Sequence, residues 1–358
     1  MSFVPSTRRA VHPVAWWLWA LALGAAALRT KNPLLLTLLV ASAWLVVAAR
    51  RPEAPWARSF GSFLKLGVAI IVIRMVFEAL FGARLPGHEL FQLPEVAVPD
   101  WAAGVNVGGP VTGEAMLSAF EEGLQLAVLV ACVGAANSLA SPYRLLRSMP
   151  AALYELGVVV TVALSFAPQA VLSAQRVREA RRLRGRPHSG VAGLRGLAIP
   201  VLEGALDHSL QLAASMDSRG YGRRGSASAT RRALGQVAML VGAISVCIGA
   251  YALLDTSVPG ALRLPALVAG VAMLSGSLVL AGSASTRTRY RPDPWRGPEL
   301  VTVAAGVAAL VGLLVAARVG VDGLGADTTL RFPSLPLLPA AAILCATLPA
   351  FLTPEPLS

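Results

Sequence analysis

Lysine is almost missing from this chain. Lys31 and Lys65 are the only two, although basic residues outnumber acidic ones 31 to 19. A phosphate-binding loop needs glycine-rich backbone running into Gly-Lys-Ser/Thr. Lys31 follows a threonine and Lys65 a leucine, so that loop is absent and the chain carries no such motif for hydrolysing ATP itself. Charge of either sign is scarce: 14% of residues are charged and 55% apolar, whereas a water-soluble domain carries about a quarter charged. The three cysteines, Cys132, Cys247 and Cys345, lie far apart in apolar runs. They read as small hydrophobes, with neither a disulfide framework nor a metal spacing. His12, His88, His188 and His208 share no helical pairing, and no aspartate cluster could hold magnesium. Ser165 and Ser215 do not read as members of a nucleophile, histidine and acid set. No metal and no cofactor are expected, and a membrane enzyme is the weakest of the functional readings.

What the chain has in quantity is long apolar runs. A helix needs roughly 17–25 apolar residues to cross the hydrocarbon, and eight runs qualify, near 12–29, 33–49, 62–81, 113–136, 235–254, 263–283, 300–317 and 335–352. The expected fold is all-α: a polytopic membrane protein of about eight spans. The first run leads straight into the second, so it is expected to be a span and not a removable signal. Trp16, Trp17, Trp19 and Trp44 are expected at the membrane–water boundary. Arginines mark alternate loops: Arg8 and Arg9, then Arg50, Arg51 and Arg58, then Arg287, Arg289, Arg291 and Arg296. The excess of basic residues on one side assigns both termini to the cytoplasm of a multi-pass inner (plasma) membrane protein. The net charge of +12 then faces anionic lipid and protein partners, with no call for nucleic acid.

Three regions follow: transmembrane helices over 1–140, a basic cytoplasmic-side region over 141–232, and transmembrane helices over 233–358. The middle region is not loop-like. "LYELGVVVTVALSFAPQAVL" is apolar enough to pass for a span. "GLAIPVLEGALDHSLQLAASM" sets Glu203, Asp207 and Gln211 on one helical strip and Leu202, Ala205, Leu206, Ala213 and Met216 on another. Long amphipathic helices tied to basic turns suit the inner membrane surface, with Ser141 capping the first and Pro142 opening it.

Two of these helices close alike. "REARRLRG" ends at Arg184-Gly185 and "ASMDSRGYG" at Arg219-Gly220. Glycine beyond a helix end supplies a left-handed cap, and a cation in the last turn meets the negative end of the dipole. Arg195-Gly196, Arg224-Gly225 and Arg296-Gly297 also occur, so the pair alone is compatible with simple capping. A planar guanidinium at a helix tip is equally suited to two parallel bonds with a carboxylate on a partner.

The second stretch, Ala214-x-Met216-Asp217-Ser218-Arg219-Gly220-Tyr221, resembles the signature of the transmembrane T component of energy-coupling factor (ECF) ABC transporters. "REARRLRG", with Ala180, Arg184 and Gly185, is similar to that family's other coupling-helix end. "VHPVAWWLWALALGAAALRTKNPLLL" resembles its opening, and "SPYRLLRSMPAALYELGVVVTVALSFAPQAV" the run into its coupling helices; the likeness covers about residues 8–256. Asp217 stands where glutamate is usual, and Leu183 where a small residue is usual. The resemblance implies a non-catalytic subunit whose coupling helices sit on two cytoplasmic ABC ATPase subunits. It implies that Arg184 and Arg219 pair with acidic groups there, that Gly185 and Gly220 let the chain turn away, and that Met216, Asp217 and Ala180 belong to the same surfaces. It further implies a separate substrate-binding membrane S component, with vitamins or transition-metal ions as cargo.

Charges inside spans point to a rival reading. Arg74 and Glu78 lie four apart on one face of the third span, and Glu121 and Glu122 lie in the fourth. Intramembrane charges are usually functional or paired, and a stand-alone carrier or channel would use such groups. The sequence favours Arg74 and Glu78 as a mutually neutralising pair.

Overall fold

The computed structural model describes residues 10–81, 87–96, 107–148, 154–185, 190–221, 229–254, 260–283, 293–325 and 332–354. Proline starts its first helices. Pro13 opens α1 (Pro13–Ala27) and Pro33 opens α2 (Pro33–Arg50), at positions where no amide partner is needed. The preceding residue caps each. His12 Nδ1 accepts the Val14 amide at 3.3 Å, and Asn32 Oδ1 accepts that of Leu34 at 2.9 Å. After a 3₁₀ turn over Pro55–Ser59 come α3 (Phe60–Phe81), a hairpin of β1 (Glu89–Val96) and β2 (Val107–Thr112), α4 (Gly113–Leu139) and α5 (Pro142–Arg147). Then follow α6 (Tyr154–Leu183), α7 (Gly190–Ser218), α8 (Ala229–Leu254), α9 (Gly260–Ser283), α10 (Gly297–Val319), α11 (Leu337–Cys345) and α12 (Pro349–Leu352).

Two compact units result, one of residues 1–145 with 293–358 and one of 146–292. In the first, α1 is the central helix, packed against α4 and α10. Trp19 and Leu23 are fully buried there, with Ala305, Ala309 and Leu313 of α10 in the same core. Small residues let the backbones close up, as is usual between membrane helices. A Cβ on Gly306 would lie 2.9 Å from Trp19 Cα, so only glycine fits. The α1–α2 turn is tied to the loop after α10. Asn32 Nδ2 donates to the carbonyls of Gly323 at 2.7 Å and Ser334 at 2.8 Å, and Thr30 Oγ1 donates to that of Leu324 at 3.1 Å. Gln125 on α4 reaches the same turn, donating to the Ala27 and Thr30 carbonyls at 3.0 and 3.2 Å.

In the second unit α8 and α9 pack on each other along their length. A Cβ on Gly270 would lie 2.7 Å from the Ser245 backbone, so the two main chains nearly touch. Their outer residues, Val237, Leu240, Ile244, Ile248, Val268 and Val271, are exposed. A surface of this kind is stable only against lipid or another apolar partner.

The chain is thus an α-helical polytopic membrane protein. Among the described residues, five helices are long and apolar enough to cross a bilayer: Pro33–Arg50, Gly113–Leu139, Leu156–Leu183, Ala233–Ala252 and Gly297–Val319. Shorter apolar helical stretches occupy Pro13–Ala27, Leu267–Leu278 and, interrupted by a turn, Leu337–Leu352. Three expectations need correction. The hairpin, with Glu89 opposite Thr112 and Gln92 opposite Pro110, is a strand pair within an otherwise helical fold; Pro94, Pro110 and paired glycines hid it. The last run is not one helix but α11 and α12 around the turn 346–348, because Pro349 offers no amide to continue α11. Trp16 and Trp19 are core residues, 4% and 0% exposed, and not interfacial anchors. The turn explains Trp19: its indole N–H donates to the Ala346 carbonyl at 3.1 Å, an acceptor freed where α11 ends. Length and composition alone also make α6 apolar enough to cross a bilayer.

Trp19→Ala removes both the ring and this hydrogen bond, and large-to-small core changes of this size cost about 3–5 kcal/mol. Thermal unfolding in detergent should show a clear fall in midpoint for Trp19→Ala and for Gly306→Val, with Trp44→Ala, at an exposed site, near wild type.

Candidate functional site

Polarity in α6 is divided lengthwise. Its first two thirds are apolar up to Leu172, and its last third carries Arg176, Arg178, Arg181 and Arg182. Such a helix can leave an apolar layer with its basic end in water. It stops at Leu183. The Arg184 amide still reaches the Ala180 carbonyl at 3.3 Å, and the Gly185 amide turns back to that of Arg182 at 3.1 Å. Gly185 takes φ +66°, the left-handed conformation that costs other residues energy.

The end of α7 repeats this closure. The Gly220 amide donates to the Asp217 carbonyl at 2.8 Å and the Tyr221 amide to that of Met216 at 3.0 Å. Gly220 has φ +75°. Together these bonds make the complete glycine-closed helix end, with two otherwise orphaned carbonyls satisfied. Met216 and Asp217 therefore have a backbone role whatever their side chains do. Arg184, Arg219, Asp217 and Ala180 are exposed and Met216 half-buried. Among the described residues no ion pair joins Asp217 to Arg219, so the guanidinium is not held by its own acid.

Helices α6 and α7 pack on each other. Phe166 stacks on His208, ring centroids 6.0 Å apart and 23° from parallel, which gives His208 a packing role. Near the turn between them, Arg181 Nη1 donates to the Gly193 carbonyl at 3.3 Å. Its guanidinium lies close against Gly196, where a Cβ would clash with it. Arg181 is the residue that sequence reasoning missed: in the run "RRLRG" nothing separates the arginine turned inward from those turned to solvent. Because α7 starts just after Arg184 and ends at Ser218, the two arginine tips lie at opposite ends of it. A helix of this length spans about 43 Å, so the tips are not side by side.

The polar residues of the spans form a separate group. Arg74 reaches across to Glu122 on α4, not along its own helix to Glu78 as the sequence favours. Lys31 Nζ is 3.2 Å from the other oxygen of Glu122. One carboxylate thus joins α3, α4 and the α1–α2 turn. Glu78 is half-buried, and Glu121 is 2% exposed. Among the described residues no three His, Cys, Asp or Glu side chains gather as a metal site.

A protein-family model described as cobalt transport protein (CbiQ) matches residues 2–229. The chain belongs to the cobalt transport protein family. That family is the T component family of ECF transporters. The match takes in every helix from α1 to α7 and both arginine–glycine ends, and stops at the first residue of α8. It ends earlier than the resemblance over 8–256, so α8–α12 lie outside it. No individually curated protein is similar enough to be given as a relative.

The glycine closures make a sharp prediction. A β-branched residue in the left-handed region is strained by about 1–2 kcal/mol. Gly220→Val should therefore open the last turn of α7, seen as faster hydrogen exchange at the Tyr221 amide, while Gly220→Asn, which tolerates this conformation, should change it little.

Proposed function

We propose that this cobalt transport family member is the energy-coupling subunit of an ECF-type importer, and that two ABC ATPase subunits grip its α6 and α7 ends. The observation that carries this reading is the pair of exposed guanidinium tips, Arg184 and Arg219. Each stands beside a glycine-closed helix end, and the length of α7 separates them. One groove could not take both tips; two ATPase subunits side by side present two grooves. In each, an acidic pair of oxygens would accept a guanidinium fork, a charge-assisted contact with defined direction. Asp217 is placed to accept a partner amide beside Arg219.

Closure of the ATPases on ATP would then move the two helix ends relative to each other, and the stacked, arginine-pinned α6–α7 pair would carry that motion as a stiff element. A separate substrate-binding membrane subunit would receive it, so this chain needs no substrate site or catalytic group of its own. Cytoplasmic tips require the basic end of α6 and both termini to face the cytoplasm of the inner membrane, the orientation that the arginine-rich loops favour. The family's cargo points to a transition-metal ion or a vitamin of related chemistry. A stand-alone carrier is disfavoured because Glu122, the best candidate for an ion-handling group, is already matched by Lys31 and Arg74.

Affinity purification in mild detergent tests the proposal. The wild-type chain should bring down two ATPase subunits and a small membrane protein. Losing one side of a buried, hydrogen-bonded charge pair costs about 2 kcal/mol or more, so Arg219→Ala should weaken the ATPase complex by about 30-fold or more, with unchanged yield of folded chain. Retention of the ATPases at wild-type affinity by Arg219→Ala and Arg184→Ala together contradicts it.

A further inference from the structure

The chain leaves the first unit after Leu145 and re-enters it at Asp293. Those two crossings are fastened together inside that unit. Arg144 on α5 donates through Nη2 to Asp293 Oδ2 at 2.6 Å and to the Ala10 carbonyl at 3.1 Å, and through Nη1 to the Val11 carbonyl at 3.2 Å. Next in the chain, the His12 amide donates to Glu299 Oε1 at 3.3 Å, while Glu299 Oε2 accepts the Arg296 amide at 2.9 Å. Glu299 is 4% exposed. The His12 ring packs on Trp295 with centroids 5.6 Å apart. One guanidinium therefore ties three segments: the lead into α1, the last helix before the second unit, and the return from it into α10.

The family match ends at residue 229, so Asp293 and Glu299 belong to the part of this chain outside it. We infer that Arg144 is a positioning residue, which with Asp293 holds together, inside the first unit, the two points where the chain leaves and re-enters it, so that a displacement arriving at either point is passed to α1 and α10. The physical ground is the difference between a pinned and a free connection. A free segment takes up displacement by rotating a few backbone dihedrals, whereas a planar fork bonded to three acceptors resists rotation and translation together. Lysine offers one nitrogen on a flexible stem and could not hold the same three.

This inference rests on the coupling reading above, and its test separates the two. The complex of the full chain with its ATPases is compared by hydrogen exchange with and without ATP plus vanadate. In wild type, exchange should change at the end of α7 and also at amides 12–16 and 296–300. In Asp293→Ala the response at α7 should persist, while that at 12–16 and 296–300 should fall severalfold; Asp293→Glu should restore it. Arg144→Lys should behave as Asp293→Ala does. Unchanged exchange of the nucleotide-free variants through α1 and α4 separates lost transmission from a disturbed fold. If Asp293→Ala and Arg144→Lys pass the full wild-type response to both segments, the inference is overturned and the coupling reading stands. A wild-type chain that binds no ATPase overturns both.

Discussion

Main-chain amides and carbonyls in a bilayer have no water to bond, so each must find a partner within the protein. Most of this molecule follows from that constraint. Helices satisfy their own interiors, and glycine and alanine at the crossings let them pack closely, as Gly306 does on Trp19 and Gly270 on Ser245. Where a helix must stop, a named group takes over. Trp19 meets the Ala346 carbonyl, Asn32 meets two carbonyls of the loop around α10 and α11, and Gln125 meets two more at the α1–α2 turn. The ends of α6 and α7 solve the same problem with glycines at positive φ.

That last solution joins fold to function. A glycine-closed end needs no side chain to satisfy its carbonyls, so the adjacent arginine is left for another purpose. Helix capping explains Gly185 and Gly220 fully. It does not require Arg184 or Arg219, whose charged groups stand in solvent. Arg181, four residues before Gly185, shows the contrast: it is spent inside the protein, pinning α6 to α7. An exposed arginine, set at each of two similar ends, is what a docking partner could grip.

Helix positions were legible in the sequence because apolar runs and Pro-led starts are local signals. His12-Pro13 and Asn32-Pro33 mark the starts of α1 and α2 to within a residue. The glycine closures were legible for the same reason. Partners distant in the chain were not. Nothing local tells that Trp19 is buried against a carbonyl some three hundred residues on, since a tryptophan near a helix start reads equally well as an interfacial anchor. Arg74 had a plausible partner one turn away in Glu78, and the across-helix contact to Glu122 depends on how α3 meets α4. The separation of the two arginine tips also escaped local reading, because it follows from α7 being unbroken between them.

The account turns on whether both tips touch ATP-hydrolysing subunits at once. Site-specific photocrosslinking in intact cells, from a reactive residue replacing Leu183 beside the first tip and another replacing Ser218 beside the second, addresses this directly. The account predicts that each position yields a crosslink to an ATP-binding polypeptide identified by mass spectrometry, and that doubly labelled chains capture two such subunits together. Crosslinks from both positions to lipid alone, or to segments of the same chain, would contradict it.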